Sequence, residues 1–324
     1  MAKNLYLGVD TSCYTTSVAL LDEEGALVGE ARRILSVRPG RCGLQQSEMV
    51  FQHTRNLPIL VEQAFEQARA KIGDFALSAI GVSGCPRPLE DSYMPAFLAG
   101  LSVARSMAAA TGAKLLVLSH QENHLEAGMW SAKGPAAERF LLLHASGGTT
   151  DLLLAERCED GRYSLTQVGG SMDLHAGQFV DRVGVALGLQ FPTGPALEQL
   201  AQTAKPEKMV ELPVSVRKLD VSLSGPATAA LRKLEAGADG AALALGVEYA
   251  LAETFVRMLR NGAEKLDVDD VLLVGGVGSN NYIRRHVEAK LAKRRVRLWV
   301  PEGRFSCDNA TGCAAVVWRT FSGL

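Results

Sequence analysis

Short apolar runs alternate along this chain with longer stretches of helical periodicity. Residues 5–22 read Leu-Tyr-Leu-Gly-Val-Asp-Thr-Ser-Cys-Tyr-Thr-Thr-Ser-Val-Ala-Leu-Leu-Asp: an apolar strand, a tight turn of small and hydroxyl residues, and a second apolar strand. Polar connections lead from there to a helix predicted over about 47–71, which Pro58 is expected to kink or split. A buried strand is expected at 79–83, a small-residue helix over about 95–111 and a short strand at 114–118. Two prolines and a glycine make 84–92 a loop.

The opening pattern then recurs. Residues 141–156 read Leu-Leu-Leu-His-Ala-Ser-Gly-Gly-Thr-Thr-Asp-Leu-Leu-Leu-Ala-Glu, with Thr149-Thr150 in the place that Thr15-Thr16 hold in the first copy. A helix follows near 179–187, a loop broken by proline and glycine at 191–195, and an Ala-rich helix over about 241–262. The apolar strand 271–274 runs into Gly275-Gly276-Val277-Gly278-Ser279-Asn280, with a helix starting near Tyr282. A last helix, about 308–321, is expected to pack back on the first half. Two similar runs of strands and helices imply an α/β protein of two lobes with a cleft between them. The boundaries expected are 1–118 joined by 308–324 for one lobe, and 119–307 for the other.

Composition narrows the class. Of 324 residues, 47% are hydrophobic and 21% charged, which is a globular balance. A formal net charge of -1 gives no global field toward nucleic acid or membrane, so such a contact needs a local patch. The six cysteines form no C-x-x-C pair and read as reduced thiols of a cytoplasmic protein. No signal peptide and no membrane span are expected.

Several constellations could carry chemistry. Each strand–turn–strand is either an ordinary hairpin or a cradle of backbone N–H groups and hydroxyls for phosphate, and the duplication favours the cradle. His120 and His124, at i and i+4, share one helix face and read as a metal-chelating pair or as two surface histidines. His120-Gln-Glu-Asn-His124 is not H-E-x-x-H, which argues against a metallopeptidase. The turn 275–280 is a third glycine-rich site before a helix, suited to an adenosine phosphate or ribose oxygen. Asp308 reads as the N-cap of the last helix or as a metal ligand, and Asp181 as a core-edge carboxylate or an acceptor of ribose hydroxyls. Arg284, Arg285, Lys290, Lys293, Arg294, Arg295 and Arg297 stand against the single acid Glu288, either as a solvated face or as a track for an RNA backbone.

These motifs resemble, in order and over nearly the whole chain, the TsaD family of tRNA threonylcarbamoyladenosine transferases, also called glycoproteases or O-sialoglycoprotein endopeptidases. The segments that carry the likeness are Gly8–Cys13, His120–His124, Ser146–Thr150, Ala176–Asp181, Phe191–Pro195, Asp220–Gly225, Val274–Asn280 and Cys307–Ala310. The resemblance implies the actin/hexokinase/Hsp70-type two-lobed ATPase fold. It implies one metal ion, iron or zinc, on His120, His124 and Asp308. It also implies an adenine nucleotide (ATP, AMP or threonylcarbamoyl-AMP, with magnesium) held by Ser146, Gly147, Gly148, Thr149, Asp181, Gly194 and Asn280. The implied reaction is attack by the exocyclic amine of adenosine 37 of tRNA on the threonylcarbamoyl group, with AMP leaving. The implied partners are tRNA and either TsaB-like and TsaE-like proteins or a second copy of the chain.

The chain also departs from the family pattern. The acidic pair that normally follows Thr-Ser-Cys is replaced by Tyr14 and Thr15, at the position expected to align or activate substrate. Thr149 stands where His or Asn is usual, the loop 85–92 is longer, and a lysine expected after Ser224-Gly225 is missing. Metal and adenosine positions are kept while phosphate- and acceptor-facing positions differ, which is the pattern of a divergent paralogue. The reading that competes with the transferase is a non-catalytic or redirected nucleotide-binding paralogue that regulates or scaffolds an assembly.

Overall fold

In the computed structural model, residues 3–12, 14–37 and 44–322 are described. Cys13, at the tip of the first hairpin motif, and Cys42 lie outside them. The chain divides into two compact units, one of residues 1–131, 157–163 and 308–324, the other of 132–156 and 164–307. The sequence placed the division at 118/119.

In the first unit, β1 (Lys3–Thr11), β2 (Thr15–Leu21), β3 (Leu27–Ile34), β4 (Phe75–Cys85) and β5 (Lys114–Ser119) form a sheet of order β3-β2-β1-β4-β5. β1 runs antiparallel to β2 and parallel to β4. The residues expected to be polar connections after β2 are in fact β3, an edge strand whose outer half is exposed. Its mixed pattern, Leu-Val-Gly-Glu-Ala-Arg-Arg-Ile, reflects that half-burial. α1 (Gln46–Ile72) runs through Pro58 as one continuous helix, so the proline does not split it. Its buried stripe of Met49, His53, Leu57, Leu60, Ala64 and Ala68 continues on both sides of the proline, whose ring is on the exposed face. α2 (Phe97–Thr111) follows β4, and α3 (His120–Ala132) follows β5 without a break.

The two faces of β1 have different tasks. Leu5, Leu7 and Val9 pack with Leu57, Leu60 and Ala64 of α1 and Ala104 of α2. On the other face, Tyr6 packs with Ala314 and Val317 of the last helix, α10 (Thr311–Phe321). Gly8 and Gly81, paired across β1 and β4, admit that helix: a Cβ on Gly8 would overlap the Ala310 carbonyl, and one on Gly81 the Cys313 carbonyl. α3 stays with this unit because Trp130 packs into the same cluster, and its indole N–H donates to the Gly25 carbonyl at 2.9 Å.

The second unit repeats the plan. Its sheet joins β6 (Arg139–Ala145), β7 (Thr150–Arg157), β8 (Tyr163–Ser171), β9 (Val216–Arg217), β10 (Asp220–Val221), β11 (Asp270–Val274) and β12 (Arg297–Trp299) in the order β12-β11-β6-β7-β8-β10-β9. β6, β7, β8, β11 and β12 thus take the places of β1, β2, β3, β4 and β5, again with an antiparallel hairpin and a parallel neighbour. Its helices are α4 (Ala176–Ala186), α5 (Gly194–Ala201), α6 (Ser224–Glu235), α7 (Gly240–Leu266), α8 (Asn281–Ala292) and the short α9 (Gly303–Ser306). α5 begins inside the segment expected to be a loop, because Pro195 sits in its first turn, where a missing N–H costs nothing. No helix among the described residues is long and apolar enough to cross a membrane.

Candidate active site

α3 puts His120 and His124 on one face, one turn apart. Their Nε2 atoms are 3.1 Å from each other, and Oδ1 of Asp308 is 3.6 Å from the first and 3.4 Å from the second. The remaining nitrogen of His120, Nδ1, is 3.1 Å from Oδ1 of Asp10 at the end of β1. Asp10 follows Tyr6 and Gly8 on the face of β1 toward α10, so strand alternation delivers its carboxylate here. His124 and Asp10 are buried, while Asp308 keeps 28% of its side chain exposed.

The charges are tightly coupled. Burial opposes an imidazolium at His120, but the Asp10 and Asp308 carboxylates outweigh it and push its pKa up to about 10. Burial and the charge of His120 push His124 down. Burial opposes the Asp308 carboxylate, and the two histidines more than offset this, holding its pKa well below the usual range.

The donor set fits a divalent cation. Two imidazole nitrogens and a carboxylate oxygen lie within 4.8 Å of one another, and bonds of ~2.1 Å to a common ion place neighbouring donors about 3.0–3.4 Å apart. With a cation in place of the His120 proton, two carboxylates around two neutral imidazoles balance a double positive charge. Oδ2 of Asp10 is buried and without a hydrogen-bond partner among the described residues. Asp10 also turns Nε2 of His120 inward by holding Nδ1, the usual support of a ligating histidine.

Tyr14 and Thr15 fall at the start of β2. Tyr14 packs against the cluster of Leu35, Met49 and Ala96, and its carbonyl accepts from Leu35 N at 2.8 Å. Thr15 is only 7% exposed. Below this hairpin lies a group that sequence reasoning missed: His53 of α1, fully buried, with Nδ1 2.8 Å from Oγ1 of Thr16. Burial lowers its pKa, and the Asp10 charge works against that.

The other candidate residues gather in the second unit. Ser146, Gly147, Gly148 and Thr149 form the turn between β6 and β7, closed by Ser146 N donating to Thr149 O at 2.8 Å. The first turn of α4 rests on it: Gly177 N donates to Ser146 O at 3.0 Å, and a Cβ on Gly177 would stand 2.6 Å from the Gly147 Cα. A Cβ on Gly147, Gly148 or Gly194 would meet nothing within 4 Å, so these glycines leave one side of the backbone open. Gly275, at φ 97°, lies against Ala145, which brings the third glycine-rich turn beside the second.

Asp181 and Asn280 have partners within the protein. Oδ1 of Asp181 accepts from Thr193 N at 2.8 Å and Thr193 Oγ1 at 3.1 Å, fixing the residue before Gly194. Its pKa is raised by burial against those hydrogen bonds. Asn280 caps α8, its Oδ1 accepting from Ile283 N at 2.9 Å, while its Nδ2 donates to Oε1 of buried Glu248 at 2.6 Å. Of the basic run, Arg297 is tied to Asp270 at 3.0 Å, and Arg285, Lys293, Arg294 and Arg295 are exposed.

Solved structures of the same fold include HypF of T. kodakarensis (TM-score 0.59, 15% identity, 99% of this chain and 48% of that one). Component A of (R)-2-hydroxyglutaryl-CoA dehydratase from Acidaminococcus fermentans matches with TM-score 0.56 and 15% identity over 98% of each chain. A ROK family glucokinase from Streptomyces griseus matches with TM-score 0.51 and 14% identity over 96% and 98%. The fold is thus the actin/hexokinase-like ATPase fold, with a duplicated βα core. A match to the family described as TsaD, tRNA N6-adenosine threonylcarbamoyltransferase, runs over residues 47–315, and the chain belongs to that family of tRNA threonylcarbamoyladenosine biosynthesis. Similar relatives are the tRNA N6-adenosine threonylcarbamoyltransferases of Thermus thermophilus (32% identity, 97% of this chain and 92% of that one) and Aromatoleum aromaticum (30%, 94% and 87%). A probable bifunctional tRNA threonylcarbamoyladenosine biosynthesis protein of Methanothermobacter thermautotrophicus is 29% identical over 97% of this chain, which spans only 55% of that protein's length.

Proposed function

We propose that this chain transfers the threonylcarbamoyl group of threonylcarbamoyl-AMP to N6 of adenosine 37 in tRNA, at a reduced rate. The observation that carries the reading is the convergence of His120 Nε2, His124 Nε2 and Asp308 Oδ1, with Asp10 on the outer nitrogen of His120. These residues would hold one iron or zinc ion, which supplies Lewis-acid stabilisation of negative charge on the transferring group. The adenylate would lie on the open backbone of Ser146–Thr149 and Gly194, near Asp181 and the 275–280 turn. The turn N–H groups that are not used to close the hairpin favour phosphate there. In the transfer the amine nitrogen bonds to the carbamoyl carbon and gives up one of its protons to solvent, the bond from that carbon to the phosphate oxygen breaks, and AMP leaves with the electron pair.

Position 14 is the reason to expect a slow enzyme. A phenol is neutral at pH 7 and cannot supply a carboxylate's charge, and the Tyr14 ring is packed with Leu35 and Met49. The tRNA phosphates would meet the exposed arginines of 285–295, and TsaB-like and TsaE-like proteins or a second copy would complete the assembly. The test is single-turnover transfer from threonylcarbamoyl-AMP to tRNA, with partner proteins supplied and metal content measured alongside. Measurable transfer that disappears in His120→Ala with its metal is the expected result. No transfer from a metal-loaded, nucleotide-binding protein would favour the regulatory paralogue.

A further inference from the structure

Asp308 lies three residues before the start of helix α10, and the first turn of a helix needs acceptors for its free N–H groups. Asp308 does not meet that need. Ala310, at the cap position, has no side-chain acceptor to offer. Thr311 N donates to Oδ1 of Asn309 at 2.9 Å, and Cys313 N donates to Oδ1 of Asn123 at 2.9 Å. Asn123 belongs to α3, in the turn between His120 and His124, and is 1% exposed. Its other amide atom, Nδ2, donates to the Asn309 carbonyl at 2.6 Å.

One buried amide therefore does two things. It caps α10 from a different helix, and it ties the residue next to Asp308 to the helix that carries both histidines. Gly312 makes the approach possible, since a Cβ there would stand 2.6 Å from Asn123 Oδ1 and overlap the Asn123 carbonyl. With the capping done elsewhere, the Asp308 carboxylate is left to face the imidazoles.

We infer that Asn123 is the positioning residue of the His120–His124–Asp308 site: its side chain sets the Asp308 carboxylate against the two histidines by capping α10 and anchoring Asn309. The inference rests on the reading of that trio as a metal site. Its consequence is that Asn123 governs metal affinity although it contributes no ligand, as supporting residues around metal sites do, typically by 10–100-fold.

The experiment uses the full chain, stripped of metal, and titrates it with Zn2+ in competition with a chromophoric chelator and with Co2+ by visible absorption. Five proteins are compared: wild type, His120→Ala, Asp308→Ala, Asn123→Ala and Glu126→Gln. The last loosens a part-buried α3–α10 bridge, Arg319 to Glu126 at 2.6 Å, without touching residues 308–313. Asn123→Ala is expected to bind Zn2+ at least tenfold more weakly and to give the Co2+ spectrum of Asp308→Ala. Glu126→Gln is expected to lower the melting temperature yet keep wild-type affinity and spectrum. If Asn123→Ala does not fold, Asn123→Ser serves in its place. Wild-type affinity and spectrum in the folded Asn123 variant, or equal losses in the Asn123 and Glu126 variants, would overturn the inference and leave the metal reading intact. A wild type that binds neither ion, or binds them as well as His120→Ala does, would overturn both.

Discussion

Nδ1 of His120 lies 3.1 Å from Oδ1 of Asp10, a carboxylate with no exposed surface at the end of β1. The strand thereby fixes the imidazole so that only Nε2 is left to meet His124 and Asp308. Asp10→Asn keeps the size of the side chain but removes its charge. It is expected to weaken Zn2+ binding by about 10–100-fold, read by competition titration of the metal-free protein. Unchanged affinity would mean that Asp10 does not support the site.

The close approach of α10 to the sheet rests on Gly8 and Gly81, which face it across β1 and β4. A methyl group at Gly81 would stand 2.8 Å from the backbone carbon of Cys313, and helix and strand must separate to admit it. Gly81→Ala should cost at least about 2 kcal/mol of stability. Denaturant unfolding measures the loss, and a neutral substitution would show that the helix yields easily.

Gly148 offers a clean probe of the nucleotide proposal. Its Cβ position is open, so valine there spares the fold while filling the space over the turn. Affinity for AMP or ATP should fall at least tenfold, about 1.4 kcal/mol. Calorimetry giving wild-type affinity in Gly148→Val would remove the nucleotide from this turn.

Glu248 makes stability depend on pH. Burial pushes its pKa up from the usual 4.5 to about 7, helped by the charge of Glu198 and opposed by the Asn280 amide. Between those values the folded protein holds a proton that the unfolded chain has released. Stability contributed here therefore falls as pH rises from about 4.5 to about 7 and is flat above, by up to about 3 kcal/mol. Glu248→Gln should flatten that slope in urea unfolding at pH 5 and pH 8. The same slope in the variant would assign it to other groups.

Tyr14→Glu should raise the single-turnover transfer rate by restoring a carboxylate beside the hairpin. Thr15, buried in β2, is a poor site for a charge and is better left unchanged. A wild-type rate equal to that of an ordinary family member would show that the phenol is no handicap.

The sequence alone determined what is local and periodic. The two hairpins, the i, i+4 histidines on one helix face and the glycine-rich turn before α8 were all legible, because strand alternation and helical periodicity act over a few residues. The order of motifs was enough to expect the duplicated ATPase fold. β3 escaped because an edge strand with one wet side looks like a polar connection, and Pro58 misled because the buried stripe around it outweighs one missing hydrogen bond. Only the tertiary structure decided which groups meet. Asp10, His120 and Asp308 lie far apart along the chain, and Asn123 reaches across 190 residues to cap the helix after Asp308. Such contacts depend on how a sheet and two helices pack, with glycines at 8, 81 and 312 setting the separation. No periodicity within a segment encodes that distance, so a residue such as Asn123 reads in the sequence as one polar position on a helix and in the fold as the support of a charged centre.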